Sequence, residues 1–402
     1  MEVLQLILNG IEILLIGYFG FAALYVFVFA FAGLFRAKER NTLFQKQRKI
    51  AVLIPGYKED AVIVDVAQQA LRQSYPSNLF EVIIIADSFQ EDTLLKLKTL
   101  PLRVVEVSFE KSTKSKALNK AMEVIGDDYD VALILDADNI MEQKFLEKMN
   151  ASFNQGFKVV QGHRIAKNTN TSFAILDAVS EEVNNHIFRK GHRVLGLSSA
   201  LIGSGMAFDY YFFKKMMSRI KAVGGFDKEL ELELLQKRIK IEYLHEALVL
   251  DEKVQKSEVF ANQRKRWLSA QFIYFQRYVG AGIKELFTKG NVDFFDKVYQ
   301  MISPPRVLLL GLVVVFTGIY FTLDIIGTSS ILTVPSILWY TTMGLTILAF
   351  AFSIPKKYYN QKTLNAVLTL PKAFLLMFLS LFRLKGANKK FIHTQHGTIN
   401  TP

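Results

Sequence analysis

Three apolar stretches constrain this chain more than anything else in it. Val3–Phe35 is broken only by Gln5, Asn9 and Glu12, and it is followed far downstream by Val307–Ile326 and Ile331–Ile354. About 20 apolar residues suffice for a helix to cross a bilayer, so each stretch reads as a membrane span. The first is one tilted span, or a span preceded by an interfacial turn. A cleaved signal peptide is not expected, because its apolar core would be shorter and would follow a basic start, whereas this chain begins Met1-Glu2. Gly327-Thr328-Ser329-Ser330 joins the last two into a hairpin. Val367–Leu384 is apolar as well, but it contains Pro371 and Lys372 and runs into a basic tail. As a span it would leave Arg383–Lys390 outside, against the positive-inside bias, so an interfacial helix is expected there.

The net charge of +12 follows the same layout. Arg36, Lys38, Arg40, Lys46, Arg48 and Lys49 adjoin the first stretch, Lys356 and Lys357 end the hairpin, and Lys389 and Lys390 lie in the tail. Basic residues so placed answer to lipid headgroups and membrane orientation, not to nucleic acid. They predict an integral protein of the plasma (inner) membrane, partnered by the lipid bilayer, with the intervening block in the cytoplasm. The absence of cysteine excludes disulfides, thiol catalysis and Cys-ligated zinc.

From Lys49 to about Val259 the pattern changes to alternating strands and helices. Ile50–Pro55, Glu81–Asp87, Leu102–Val107 and Val131–Leu135 read as buried strands; Val62–Gln73 and Lys114–Ile125 have helical period. The fold class is therefore α/β, with a mainly parallel sheet made by right-handed crossovers. Ligands of such sheets gather at the carboxyl ends of the strands, where Tyr57, Glu59, Asp87, Asp136 and Asp138 fall. The central strand stops at Asp136-Ala137-Asp138, and strand alternation would turn both carboxylates to one side. Such a pair suits a hard divalent cation, which in turn can hold a nucleotide's diphosphate. Asn262 to about Gly290 starts with Gln263-Arg264-Lys265-Arg266-Trp267. It continues through Leu268, Phe272, Tyr274, Phe275, Tyr278 and Val279, the pattern of a helix lying in the membrane surface. There is no Walker A sequence and no Gly-x-Ser-x-Gly elbow, and Gly203-Ser204-Gly205 lacks the third glycine of a dinucleotide fingerprint. His393 and His396 have metal-compatible spacing but read as part of a solvated tail.

Taken in order, the remaining motifs form a set: Ile54-Pro55-Gly56-Tyr57-Lys58-Glu59, Ile85-Ala86-Asp87-Ser88, Lys114-Ser115-Lys116-Ala117-Leu118-Asn119, Asp136-Ala137-Asp138, Gly203-Ser204-Gly205-Met206-Ala207-Phe208, Gly225-Phe226-Asp227-Lys228-Glu229-Leu230-Glu231-Leu232, and Gln263-Arg264-Lys265-Arg266-Trp267. This series resembles the membrane-bound family-2 glycosyltransferases, which include cellulose, chitin, hyaluronan and poly-N-acetylglucosamine synthases. The resemblance covers nearly the whole chain, and Gln-x-x-Arg-Trp between a GT-A-like domain and membrane spans is its most specific part. It divides the chain into an N-terminal span (1–36), a cytoplasmic GT-A-like domain (37–261), amphipathic interfacial helices with the Gln-x-x-Arg-Trp motif (262–305), a transmembrane hairpin (306–355), and a C-terminal helix with a basic tail (356–402).

The resemblance also implies roles. Tyr57, Glu59 and Asp87 would hold the nucleoside, and Lys116 would sit near the donor's phosphates. Asp138 would coordinate Mg²⁺ or Mn²⁺, with Asp136 beside it against metal, nucleotide or sugar. Gln263, Arg264, Arg266 and Trp267 would serve the leaving diphosphate and the acceptor sugar. In relatives the base is the aspartate of a Glu-Asp or Thr-Glu-Asp motif. Here those positions correspond to Lys228-Glu229, which makes Glu229 the expected base and Glu231 its competitor. The plainer reading is that Glu229, Glu231 and Glu233 are the polar side of an alternating segment. Lys58 stands where relatives often carry Asn. Gly203–Met206 is expected to pass under the acceptor, or to be an ordinary turn. The implied activity is inverting, metal-dependent transfer from a nucleotide-sugar, UDP-linked by expectation, to a saccharide acceptor in polysaccharide synthesis. The alternatives are a single transfer to a lipid-linked acceptor and a nucleotide-binding pseudoenzyme. With only three spans, an export channel would need a homo-oligomer or a partner.

Overall fold

A computed structural model describes residues 2–381 apart from 38–40, 43–44, 221–223, 256 and 329–331. His393, His396 and the basic tail from Arg383 lie outside the described residues. The chain opens with α1 (Glu2–Ala32) and enters its sheet at β1 (Ile50–Tyr57). There follow α2 (Ile63–Ala70), β2 (Phe80–Asp87), α3 (Glu91–Lys98), β3 (Arg103–Val107), α4 (Lys114–Ile125) and β4 (Val131–Ile134). These are the expected alternating units, with α3 an addition. Only Thr93 and Leu97 of that two-turn helix are buried, so it carries little hydrophobic period.

The second half of the domain departs from simple alternation. Its elements are β5 (Ile140–Met141), α5 (Phe145–Asn154), β6 (Val159–Ala166), α6 (Ser172–Asn184), a π-helical stretch (Asn185–Gly191) with a last turn α7 (His192–Val194), β7 (Met206–Asp209), α8 (Tyr210–Met217), α9 (Phe226–Gln236) and β8 (Ile241–Asp251). The eight strands run β3-β2-β1-β4-β7-β6-β8-β5. Pairing is parallel from β3 to β4 and between β6 and β8, whereas β7 is antiparallel to both β4 and β6, and β5 to β8. Strand alternation sends Ala51, Leu53, Ala132 and Ile134 into a core shared with α4, α8 and α9. It sends Ile50, Val52, Ile54, Val131 and Leu133 into one shared with α2 and α5. The sheet is therefore covered on both faces, with its strand ends open.

Beyond the sheet, α10 (Ser257–Lys289) runs unbroken through the boundary expected at 261/262, followed by α11 (Val292–Ile302). One side of α10 packs Ala270, Tyr274 and Tyr278 into the core with Phe226 and Leu230 of α9. The other leaves Phe272, Ile273, Ile283 and Phe287 exposed, so the amphipathic pattern is satisfied by protein on one face and open on the other. Next come α12 (Arg306–Ile326) and α13 (Ser336–Ser353), then α14 (Gln361–Val367) and α15 (Leu370–Leu381). Among the described residues, three helices (Gln5–Ala32, Arg306–Ile326 and Ser336–Ser353) are long and apolar enough to cross a membrane. α14 and α15 would make a fourth only as one span bent by 43°. The second hairpin helix starts at Ser336, later than its apolar run, because Pro335 caps it and the preceding turn is held elsewhere. Thr333 N and Val334 N donate to Glu12 Oε2 at 2.8 and 3.2 Å, while Tyr320 OH donates to Oε1 at 3.0 Å. That explains an acid inside the first apolar run.

α1 is joined to the sheet domain, not merely attached. It crosses the π-helical stretch at two glycines, where a Cβ on Gly191 would fall 2.1 Å from Phe29 O and one on Gly33 would fall 2.6 Å from His186 Nε2. Beside the crossing, Tyr25 OH donates to Asp296 Oδ1 at 2.6 Å and lies 3.0 Å from His192 Nε2. Gln300 Nε2 donates to Asp296 Oδ2 at 2.8 Å, and Lys297 Nζ donates to Gln300 Oε1 at 2.6 Å. Lys297 then pairs at 2.7 Å with Glu231, which is fully buried and accepts from Leu201 N at 3.3 Å. A polar chain thus runs from the first apolar helix to the loop preceding β7.

Candidate active site

The site is built where β1, β2, β4 and β8 end. β4 stops at Ile134, and Asp136 to Asn139 form a turn closed by Asn139 N donating to Asp136 O at 3.1 Å. The two aspartates therefore converge through a turn, not through the strand alternation expected from the sequence. A third acid joins them. β5 pairs Ile140 with Leu250 of β8, which brings Asp251 alongside, and Asp136, Asp138 and Asp251 each place an oxygen within 4.8 Å of the others. Two oxygens bound to one Mg²⁺- or Ca²⁺-sized ion lie no more than about 5 Å apart, so this set fits a hard divalent cation. Asp251 was not anticipated, although Leu248-Val249-Leu250-Asp251 repeats the signature of apolar strand ending in an acid.

Neighbours fix the acids. Asp138 accepts from Glu252 N at 2.9 Å, and Asn139 Nδ2 donates to both Asp138 Oδ1 and Asp251 Oδ1 at 3.2 Å. Asp136 N donates to Ser204 Oγ at 3.1 Å, and the same hydroxyl meets Asn139 Oδ1. Gly203 and Gly205 carry φ of +82° and +60°, which lets the Gly-Ser-Gly loop fold tightly against the acid turn. Lys253 Nζ lies 2.6 Å from Asp251, and Arg164 Nη1 lies 3.4 Å from Asp251 and 3.7 Å from Asp136. Burial, with the other aspartates, pushes the Asp251 carboxyl up, and burial pushes the Lys253 ammonium down.

The two lysines that open α4 diverge. Thr113 caps the helix, and Lys114 Nζ pairs with Asp136, donates to Gly203 O at 2.8 Å and lies 5.7 Å from the Phe226 ring. Lys116, the expected phosphate contact, turns away to donate to Lys111 O at 3.0 Å and face the Phe109 ring. Tyr57 and Asp87 are in register at the ends of β1 and β2, and Asp87 and Glu59 are buried. Lys58 has φ +54°, in the left-handed region where Asn is enriched, a backbone reason for the residue relatives often carry. Gln263, Arg264, Arg266 and Trp267 lie on α10. Arg264 pairs with Asp177 of α6 and sits 4.5 Å from the Trp267 ring. Asp177 acts electrostatically on Arg164, Asp251 and Lys253, so this motif adjoins the acid cluster. Among the described residues Gln263 Oε1 is buried without a hydrogen-bond partner; burial lowers the pKa of Arg266, and Trp267 is exposed.

Residues 47–270 match the signature of the family described as "Glycosyltransferase like family 2". The chain belongs to this family. No curated protein matches the sequence. Among solved structures, a mannosyltransferase from Pyrobaculum calidifontis in complex with GDP-Man and Mn²⁺ aligns with TM-score 0.53 and 14% identity, over 86% of this chain and 98% of its own. At that identity the likeness is one of fold, and it confirms a GT-A-like architecture. Glucosyl-3-phosphoglycerate synthase from Mycobacterium tuberculosis, solved with Mn²⁺, UDP and glucosyl-3-phosphoglycerate, aligns over 53% of this chain and 75% of its own, with 16% identity and TM-score 0.37.

In a family-2 glycosyltransferase the acids of α9 are candidates for the base. Glu229 Oε1 is held by Arg277 Nη1 of α10 at 2.7 Å, and burial raises its pKa. Glu231 belongs to the buried pair with Lys297. Asp227, which no motif correspondence singled out, lies beside Gly203: a Cβ there would stand 3.7 Å from Asp227 Cγ. Burial raises the Asp227 pKa, opposed by Lys228 and Lys114. Of the three, Asp227 is the one grouped with the Lys114, Gly203 and Asp136 contacts.

Proposed function

We propose that the protein is a membrane-anchored, inverting, metal-dependent glycosyltransferase that moves a sugar from a UDP-linked donor to a saccharide acceptor in polysaccharide synthesis. The convergence of Asp136, Asp138 and Asp251 beside Lys114 and Arg264 carries this reading. Asp138, Asp136 and Asp251 would hold Mg²⁺ or Mn²⁺, which supplies charge neutralisation for the departing nucleoside diphosphate. Tyr57, Glu59 and Asp87 bind the nucleoside at the strand ends, and Lys114, Arg264, Gln263 and Arg266 serve the phosphates of the leaving group. Trp267 offers an apolar face to the acceptor sugar. The acceptor hydroxyl attacks the anomeric carbon as its proton passes to a carboxylate and the bond to the diphosphate oxygen breaks, inverting the anomeric centre. We assign that proton to Asp227, because Glu229 is engaged by Arg277 and, two residues on in α9, points to a different side of the helix. α1, α12 and α13 serve as spans, with the catalytic domain on the cytoplasmic side favoured by Arg36, Arg48, Lys49, Lys356 and Lys357.

The test incubates the reconstituted full chain with a panel of nucleotide sugars and Mg²⁺ or Mn²⁺, measuring nucleoside diphosphate release and product size. Asp138→Ala is expected to abolish release with every donor; undiminished turnover would remove the metal assignment. Nucleotide binding without transfer under all conditions would make the protein a sensor or scaffold.

A further inference from the structure

Residues 201–205 belong to no strand, yet their backbone groups are answered one after another by side chains of α4, β6 and α9. Leu201 N donates to Glu231 Oε1 at 3.3 Å, and Leu201 O accepts from Lys228 Nζ at 3.4 Å. Ile202 N donates to Gln161 Oε1 at 3.1 Å, and Gly203 O accepts from Lys114 Nζ at 2.8 Å. Gln161 Nε2 then donates to Ser204 O at 2.9 Å and to Gly205 O at 3.2 Å. Gln161 and Glu231 are both fully buried. A loop without a ladder takes its shape from such contacts, because a buried backbone group left unanswered carries its whole desolvation penalty.

One amide does not need a carboxylate to hold it, since any neutral oxygen would accept its hydrogen. Glu231 nevertheless brings a charge into the interior, and Lys297 of α11, equally buried, answers it at 2.7 Å. The second oxygen of Glu231 lies 3.7 Å from Lys228 Nζ. Apolar groups of similar volume are often as stable as a buried ion pair, so stability alone does not account for these two residues. What the pair adds is direction. It ties a defined point of the loop to α9 on one side and, through α11, to the helix that precedes α12 on the other. Asp227 stands one turn before Glu231 on α9, beside Gly203. The helix that presents the proposed base therefore also carries the acid that sets the loop against it. The same loop supplies Gly203 O to Lys114 and Ser204 Oγ to Asp136 N, so a shift at Leu201 would be felt at both.

We propose that Glu231 and Lys297 are positioning residues for the transfer: the pair fixes the 201–205 loop against α9 and so sets where Asp227 and Lys114 face the acceptor. The inference rests on the glycosyltransferase reading and adds to it two residues outside the reacting atoms. Full-length protein in nanodiscs is compared with two double variants. Glu231→Leu with Lys297→Met replaces the pair by apolar groups, whereas Glu231→Gln with Lys297→Met keeps an oxygen for Leu201 N. Hydrogen–deuterium exchange at the Leu201 amide needs no substrate; turnover is nucleoside diphosphate release from UDP-glucose, UDP-N-acetylglucosamine and GDP-mannose with Mn²⁺. The first variant is expected to exchange the Leu201 amide about tenfold faster or more, with Tm within a few degrees of the unmutated protein. It is expected to lower kcat about tenfold or more while leaving the donor KM unchanged, as a small misplacement of reacting groups does. The second variant should recover most of both. Unchanged exchange and kcat in the first variant, or equal losses in the two, would overturn the proposal. Should the first variant not fold, Glu231→Asp, which keeps the charge but is one methylene short, takes its place; unchanged exchange there would overturn the proposal as well. No release from any donor by the unmutated protein, with the Leu201 amide responding as stated, would instead fail the glycosyltransferase reading.

Discussion

Lys114 and Lys116 stand two residues apart, yet one pairs with Asp136 and the other points back to Lys111. What separates them is the Thr113 cap, which sets where the helix begins and therefore which lysine faces the strand ends. Residue type and motif order located this region in the sequence, but helix phase was not visible there. Asp251 was hidden for a related reason: nothing local says that β5 will pair with β8 and carry it to Asp138. The α9 acids show the same limit, since the family resemblance brought Glu229 forward while the position of Gly203 favours Asp227. Asp227→Asn is accordingly expected to lower kcat by about 10²-fold or more, the usual range for a lost general base. Glu229→Gln should lower it by less than about tenfold, through relaxation of Arg277. Steady-state turnover of the two variants under saturating donor decides between them, and the reverse order would restore Glu229 as the base.

At the scale of elements, the first four strands were legible because each is a buried apolar run ended by a turn or an acid. β7 was not, because four residues, Met206–Asp209, carry too short a pattern, and its antiparallel insertion between β4 and β6 is set by tertiary pairing. The crossing of α1 over the π-helical stretch was equally silent, since a glycine such as Gly33 or Gly191 has no single meaning in sequence. It gives a sharp contrast now. Gly191→Ala forces a methyl into Phe29 O and should cost roughly 1–3 kcal/mol or more, as overpacking does. Gly17→Ala, with nothing within 4 Å of the added carbon, should be neutral or slightly stabilising. Thermal melts of the detergent-solubilised variants measure both, and equal Tm values would refute the close crossing.

Across the whole molecule, Glu182 ties three parts together. It lies 2.9 Å from His163 of β6 and 2.7 Å from Lys357, just beyond α13. Burial alone would raise its carboxyl, but the His163 and Lys357 contacts outweigh that and hold it at about 2. A carboxylate held below its unfolded value of about 4.3 stabilises the fold above that pH, and the contribution is lost as pH falls towards 2. Glu182→Gln should therefore flatten the fall in Tm between about pH 5 and pH 2. An unchanged acid limb would exclude the tie. The polar chain from Tyr25 through Asp296, Gln300 and Lys297 to Glu231 reaches further still. Asp296, Lys297 and Glu231 are buried, so cutting away the first helix would take one hydrogen-bond donor from a carboxylate folded into the protein and uncover the surface that the helix shields. Simple truncation is therefore expected to yield a less stable catalytic fragment, and a foreign anchor grafted in its place would restore that contact only by bringing a phenol at the same depth.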